Sequence, residues 1–346
     1  MNSDLQNLHL QRYRRMAWIT IAAVYFLILV GASVRASGAG MGCPDWPTCF
    51  GQWIPPTSEA QLPDNYQEIY AQLGYADTRF NVVKTWTEYT NRLVGVTIGL
   101  LIFITALFSW SCRKHDSAIF KASVAAFFMV GFQGWLGAQV VGSNLQPGLI
   151  TLHMLVALAL VGTLLFAVAQ ARRGIMASQP VTRIDPGFQK WLYIVLGFTI
   201  LQVAMGTQVR EMTDFISRAQ GEELRSSWIE AMPWFFYVHR SFSAVVLFSN
   251  LWLARLLVTS LGWQHTLTRL TLAMIAVIGT AVTSGATLGH LGMPALVQPT
   301  HLLAASLLFG LQFLIWMSYR HSRDSSKLSS NLPANQDAAK SRLPAA

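Results

Sequence analysis

The chain has 346 residues, of which 53% are hydrophobic and only 12% are charged. Soluble domains carry about 25% charged residues, so this composition excludes an ordinary soluble protein and predicts one that crosses a membrane several times. The net charge of +9 does not indicate nucleic-acid binding, because the basic residues lie in short segments between apolar runs, where they set membrane orientation.

Eight apolar runs are long enough for membrane helices, which need about 20 residues each. They span roughly 16–36, 86–110, 118–141, 149–170, 190–210, 234–258, 268–289 and 297–319. Residues 1–15 precede the first run, 37–85 form an extended loop, and 171–189 link the fourth run to the fifth. The polar tail, residues 320–346, is predicted to be disordered. The predicted fold class is therefore an all-α integral membrane protein with eight transmembrane helices.

The distribution of lysine and arginine predicts the orientation. These residues precede the first run and lie in the segments after the second, fourth, sixth and eighth runs, whereas the opposite loops are acidic or uncharged. Because cytoplasmic segments carry the excess of basic residues, residues 1–15, 171–189 and 320–346 are predicted to be cytoplasmic. Both termini then lie inside the cell.

The second half of the chain repeats the first. Asn91-Arg92 and His239-Arg240 are each followed by a histidine after the same interval of 62 residues (153 − 91 and 301 − 239). At this shift of 148 residues, Gly131 coincides with Gly279 and Gly137 with Gly285. The first helices of the two halves match at a shift of 175, where Gly31 coincides with Gly206 and Arg35 with Arg210. Residues 16–170 and 190–319 are therefore predicted to be two pseudo-symmetric four-helix bundles in a parallel repeat.

Asn91, His153, His239 and His301 are the candidate ligand positions. Each lies near the outer end of an even-numbered helix, and two histidines facing each other in a four-helix bundle suit the two axial positions of a haem iron. His239 and His301 make a complete pair. Asn91 and His153 do not, since an amide is a poor ligand for haem iron, which suggests one resident haem and one exchangeable haem-like ligand. The alternatives are histidines that only hydrogen-bond across helices, and a degenerate N-terminal site.

Glu88 lies one helical turn before Asn91, and its counterpart in the repeat is Phe236. A carboxylate found only in the half with the incomplete ligand pair is a candidate for proton transfer; the alternative is an ion-pair partner for Arg92. Arg92, and likewise Arg35, Arg210 and Arg240, lie at the outer membrane edge, where arginine could bind haem propionates. The alternatives for these arginines are interfacial snorkelling and salt bridges within the outer loops.

Cys43 and Cys49 lie in one outer loop, in the stretch Cys-Pro-Asp-Trp-Pro-Thr-Cys. This is the oxidising side of the membrane in the predicted orientation, so the pair is a candidate disulfide. The prolines and the tryptophan would stiffen this loop over the N-terminal site.

Taken together, Arg35 to Cys49, Glu88 to Arg92, His153, His239-Arg240 and His301 resemble the haem A synthase family. The resemblance spans roughly residues 16–319 and implies oxidation of a haem O methyl group to formyl by successive water-derived hydroxylations, with a resident haem b relaying electrons. It implies haem b between His239 and His301, substrate haem beside Asn91, Arg92 and His153, and a functional role for Glu88. Many members have histidine at the position of Asn91.

The resemblance further implies a multi-pass protein of the cell's inner membrane. Haem O synthase and the assembly machinery of the terminal oxidase are the implied partners. The electron acceptor is not identified by the sequence, and a homo-oligomer is left open. Two other functions also remain open at this point: a b-type cytochrome that only transfers electrons, and a haem transporter.

Overall fold

The computed structural model describes residues 3–179, 181, 184 and 187–330. Within these residues, eight helices are long and apolar enough to cross a membrane. They are α1 (Ser3–Ala36), α2 (Val82–Ser109), α3 (Ser117–Gly142), α4 (Pro147–Ala171), α5 (Phe188–Gln220), α6 (Trp234–Leu261), α7 (Thr266–His290) and α8 (Val297–Ser330). No strand occurs in this part of the chain beyond one isolated bridge between Cys49 and Gln52. The prediction of an all-α, multi-pass membrane protein is confirmed.

Local capping residues explain where the helices begin. The Asn81 side chain accepts the Lys84 backbone N–H at the start of α2 (3.0 Å), and Asp116 accepts from Ala118 at the start of α3 (2.9 Å). These caps satisfy backbone donors that have no partner inside the helix. Pro147 occupies the first turn of α4, where its missing N–H costs nothing.

Three helices extend well beyond their predicted apolar runs. The first run begins at residue 16, but α1 begins at Ser3. The fifth apolar run ends at residue 210, but α5 continues to Gln220 and ends at Gly221 (φ +78°). Likewise α8 runs past 319 to Ser330, so the prediction of disorder is wrong for residues 320–330. There the Ser322 hydroxyl donates to the Met176 carbonyl oxygen (2.9 Å) in the linker segment, and His321 is buried. The rest of the predicted tail, residues 331–346, lies outside the described residues.

The helices pack as two rings of four. Helix α1 contacts α2 and α4, and α3 contacts α2 and α4; in the second ring α5 contacts α6 and α8, and α7 contacts α6 and α8. Each ring encloses its own cluster of buried apolar side chains. The rings meet through α1 and α4 on one side and α5 and α8 on the other. Large exposed side chains such as Phe128 and Phe248 point outward, as expected where the helices face lipid.

The loop between α1 and α2 is a compact cap with its own core. Cys43 and Cys49 form the predicted disulfide, with their Cα atoms 4.8 Å apart, and both are fully buried. Phe50 packs edge-on against Tyr70 and Tyr75. The Tyr75 hydroxyl donates to the Met41 carbonyl oxygen (2.7 Å), and burial raises the pKa of this tyrosine, which keeps it a donor. The loop is thus a folded element at the C-terminal end of α1 and the N-terminal end of α2.

Candidate functional site

A glycine from a neighbouring helix faces each of the four candidate ligand residues. A methyl group added at Gly31 would lie 3.8 Å from Asn91 Oδ1, and one at Gly137 would lie 3.7 Å from His153 Cε1. In the other ring the corresponding distances are 3.2 Å from Gly206 to His239 Cε1 and 2.9 Å from Gly285 to His301 Cε1. Because Gly206 and Gly285 have no side chain, the imidazoles of His239 and His301 can approach these helices closely. A larger residue in place of Gly285 would displace His301.

His239 and His301 face each other inside the second helix ring, α5–α8. The centroids of the two imidazoles are 6.4 Å apart, and the imidazole planes are inclined at 78° to each other. Two imidazole nitrogens that each lie about 2 Å from a shared metal ion leave the ring centroids roughly 6 Å apart. This spacing fits a pair of axial ligands and is too wide for a direct hydrogen bond between the rings.

The tautomer of His301 is fixed by its surroundings. Its Nδ1 lies 3.0 Å from the Ala281 carbonyl oxygen and 3.1 Å from the Ser284 hydroxyl. Because a carbonyl only accepts, Nδ1 carries the hydrogen and Nε2 is left with its lone pair. Histidines that bind metals typically donate their second N–H in this way, so His301 is set to act as a ligand through Nε2.

His153 and His239 are held through their main chains. Gln133 Nε2 donates to the His153 carbonyl oxygen and Gln202 Nε2 donates to that of His239, each at 3.0 Å. The Nδ1 atoms of both histidines are buried and have no hydrogen-bond partner within the described residues. In this they differ from His301, whose Nδ1 has an acceptor that orients the ring.

Glu88 is the buried carboxylate of the first ring, with only 5% of its surface exposed. Its Oε1 accepts from Arg92 Nε at 3.2 Å. The same guanidinium donates through Nη1 to the carbonyl oxygens of Asp45 (2.7 Å) and Thr48 (2.9 Å), and through Nη2 to that of Cys43 (3.0 Å). Arg92 is therefore bound to the disulfide loop as well as to Glu88, and four of its five N–H groups are used. Phe236, at the matching place in the second ring, is a buried apolar residue.

Arg35 and Arg210 converge on one carboxylate. Arg35 Nε donates to Asp214 Oδ2 at 2.9 Å, with a further contact from its Nη2, while Arg210 Nη2 lies 2.7 Å from Asp214 Oδ1. Arg210 Nη2 also lies 3.1 Å from the Arg35 carbonyl oxygen. These two propionate candidates thus form an ion-pair cluster with Asp214 that joins the two helix rings. Arg240 is exposed and lies over the Tyr237 ring at 5.6 Å.

Sequence reasoning missed Asp214, Ser284, Gln133 and Gln202. Asp214 could have been predicted as a partner of Arg210, since it lies four residues later, but hydropathy ends the predicted fifth helix at residue 210. The polar side chains of Ser284 and the two glutamines contact a histidine main chain or ring from a neighbouring helix. Their partners depend on helix rotation, which one sequence does not give.

Comparison with known proteins adds a family and several relatives. Residues 14–313 match the family model COX15-CtaA, described as cytochrome oxidase assembly protein. The chain is 25% identical over 321 residues to the heme A synthase of Shouchella clausii, covering 89% of this chain and 97% of that one. It is 32% identical over 186 residues to that of Shewanella oneidensis and 27% identical over 202 residues to that of Alkalihalophilus pseudofirmus.

The shorter matches cover only part of each relative's length. The chain spans 53% of the length of the Shewanella relative and 60% of the Alkalihalophilus relative. The family model, in contrast, extends from within α1 to within α8 and so takes in all eight membrane helices. The chain therefore belongs to the COX15-CtaA family of cytochrome oxidase assembly proteins.

Proposed function

We propose that this protein is a haem A synthase that binds haem O in the ring α1–α4 and oxidises one of its methyl groups to a formyl group. The observation that carries the proposal is the asymmetry between the rings. One has a pair of facing histidines, 6.4 Å apart, and the other has a single histidine, an asparagine and the buried Glu88. The relatives named heme A synthase support the same reaction.

The ring α5–α8 would hold a resident haem b through His239 and His301. The centroid spacing, the glycines beside both rings and the Nδ1–H of His301 all fit this group. When bound, haem b would supply one-electron redox chemistry, and the chain's part is to place it and to shield it from water. The parallel repeat of the two rings is part of the proposal and is supported by the matching glycine positions.

In the first ring, His153 would bind the substrate iron, and Asn91 would leave the opposite axial position weak. Each hydroxylation joins a water oxygen to the methyl carbon and releases a pair of electrons and a pair of protons; after the second, loss of water leaves the formyl group. Glu88 is the chain's group for accepting a proton from the attacking water. Arg92 holds the Glu88 carboxylate in place, and the disulfide loop covers it.

The cellular setting follows from the same proposal. The protein would lie in the cell's inner membrane with both termini in the cytoplasm, so that Glu88, the ligand positions and the disulfide loop face the outer side. Haem O synthase would deliver the substrate and the assembly machinery of the terminal oxidase would receive the product. The electrons would pass through haem b to an acceptor.

Haem extraction tests the proposal. The chain would be expressed together with a haem O synthase in a host that lacks haem A, and the haems would be extracted and separated by chromatography. We expect haem A in cells with the intact chain and none in cells with the synthase alone. Only haem B and haem O in the presence of well-folded protein would contradict the enzyme; in that case tightly bound haem B would indicate an electron-transfer cytochrome, and movement of unmodified haem a transporter.

A further inference from the structure

Arg92 connects two elements that are far apart in the sequence. It lies on α2 one turn after Glu88, yet three of its hydrogen bonds go to carbonyl oxygens of the loop closed by the disulfide, those of Cys43, Asp45 and Thr48. The fourth goes to Glu88. An arginine side chain has many rotamers, and fixing one of them costs conformational entropy. Here the loop carbonyls hold it in one of them.

The loop has its own means of support. The Asp45 carboxylate accepts the backbone N–H groups of Phe50 (2.6 Å) and Gly51 (2.9 Å), and the disulfide closes the segment. Its first residues rest directly on α2, because the Thr85 hydroxyl donates to the Gly42 carbonyl oxygen at 2.9 Å. A methyl group added at Gly42 would lie 2.2 Å from the Lys84 carbonyl oxygen. The position of the loop on the helix is thus set independently of Arg92.

Within the described residues, the second ring has no counterpart of this arrangement. Arg240 is exposed beside Tyr237, and Phe236 replaces the carboxylate. The connection therefore exists only where the buried carboxylate is. If Arg92 served only to balance the charge of Glu88, the nearby carboxylate alone would be a sufficient partner, and the three loop carbonyls would not be needed.

We propose that Arg92 is a positioning residue through which the disulfide-closed loop, residues 43–49, sets the placement of the Glu88 carboxylate. The packing of the loop on α2 fixes the position of the Arg92 guanidinium group, and the guanidinium group fixes the position of the Glu88 carboxylate. Its effect on catalysis rests on the proposed function; the coupling itself is a property of the folded chain. Arg92 then acts through Glu88, and it is not a binding group for a substrate propionate.

The test uses the full-length protein and a matched pair of glycine variants. Gly42→Ala moves the loop without changing Arg92, Glu88 or either cysteine. Gly40→Ala is the control, because its added methyl group would approach nothing closer than the Arg35 Cα at 4.0 Å. Arg92→Lys is the second variant; it keeps the charge but loses the planar fork that spans Glu88 and the loop, and it serves if Gly42→Ala does not fold.

The rate of chemical labelling at Glu88 measures the coupling and does not require enzymatic activity. The reagent is dicyclohexylcarbodiimide, an apolar compound that modifies carboxyl groups within membranes, and labelling at Glu88 is followed by mass spectrometry. We expect several-fold faster labelling in Gly42→Ala and Arg92→Lys than in the unaltered chain, and no change in Gly40→Ala. Equal rates in all four proteins would overturn the coupling, whether or not the protein oxidises haem O.

Kinetics separate positioning from substrate binding. We expect Gly42→Ala and Arg92→Lys to lower kcat with KM unchanged, and to cause no further loss when combined with Glu88→Gln, since a carboxylate that is gone needs no positioning. A raised KM, or a loss that adds to that of Glu88→Gln, would overturn the proposal in favour of propionate binding. If the unaltered chain leaves haem O unchanged, the proposed function fails and the labelling result still decides the coupling.

Discussion

Among single residues, the proposed chemistry assigns the main role to a carboxylate that one half of the molecule has and the other lacks at the matching position. Glu88 is buried and faces an arginine, whereas Phe236 fills the matching place with an apolar ring. An ionisable group in a membrane helix is costly and normally has a function. In the structure, the Glu88 carboxylate has two hydrogen-bonding neighbours, Arg92, which also holds the loop, and the Asn91 side chain of the candidate ligand position.

Replacing Glu88 with glutamine tests this role. Glutamine keeps the shape and can still accept from Arg92, but it does not take up a proton. We expect the rate of haem O oxidation to fall about 10²–10⁴-fold, the usual contribution of a general acid or base. Retention of the haem bound in the other ring, followed by its absorption spectrum, is the check on folding.

The matched control is Glu230→Gln, a change at an exposed residue of the loop before α6. This variant is expected to oxidise haem O at the unaltered rate. An undiminished rate in Glu88→Gln would show that the carboxylate is not catalytic.

At the element scale, glycines on one helix make room for histidines on the next. Gly285 on α7 allows His301 on α8 to approach, and Gly206 on α5 does the same for His239 on α6. In the sequence these glycines stand out only as positions that coincide in the repeat, because their individual partners depend on the rotation of each helix. The structure places each one beside a candidate ligand residue.

Gly285→Ala tests the role of this close approach. The new methyl group would lie 2.9 Å from His301 Cε1, so the imidazole has to shift and the ligand geometry is disturbed. We expect haem affinity in this ring to weaken about 10–100-fold, as when the support of a metal ligand is lost. Haem titration of the purified protein measures the effect.

Gly279→Ala on the same helix is the control, because nothing lies within 4 Å of its added methyl group. It should bind haem as the unaltered chain does. Equal affinities in the two variants would mean that Gly285 does not shape the site.

Also at this scale, the extension of α5 supplies Asp214, which Arg35 and Arg210 share. Asp214→Asn keeps the shape but removes the carboxylate that both guanidinium groups share. The pair is about one-fifth exposed, between a surface and a buried ion pair, so we expect a loss of stability of about 1–3 kcal/mol. Thermal unfolding in detergent measures it, and Asp64→Asn, at an exposed loop residue, should leave the melting temperature unchanged.

At the scale of the whole molecule, hydropathy was sufficient for the number of membrane helices and for their approximate limits. The spacing of Asn91, His153, His239 and His301 assigns the candidate ligand positions to α2, α4, α6 and α8, and their role as ligands stays a prediction. Helix ends were missed where charged residues continue a helix beyond its apolar part, as at Asp214 and Arg323, because hydropathy does not register backbone hydrogen bonding. The contacts of Arg92 with the loop carbonyls were not predictable, since they depend on how a long loop folds back on α2.

In the proposed function the two helix rings bind different haems, with resident haem b in α5–α8 and substrate haem in α1–α4. The most direct test is the identity of the haems that co-purify with His301→Ala and His153→Ala from cells that make both haem B and haem O, with the exposed His290→Ala as control. We predict that His301→Ala loses haem B, whereas His153→Ala keeps haem B and loses haem O and haem A. Loss of haem B from His153→Ala with haem B retained in His301→Ala, or loss of the same haem from both, would contradict the account.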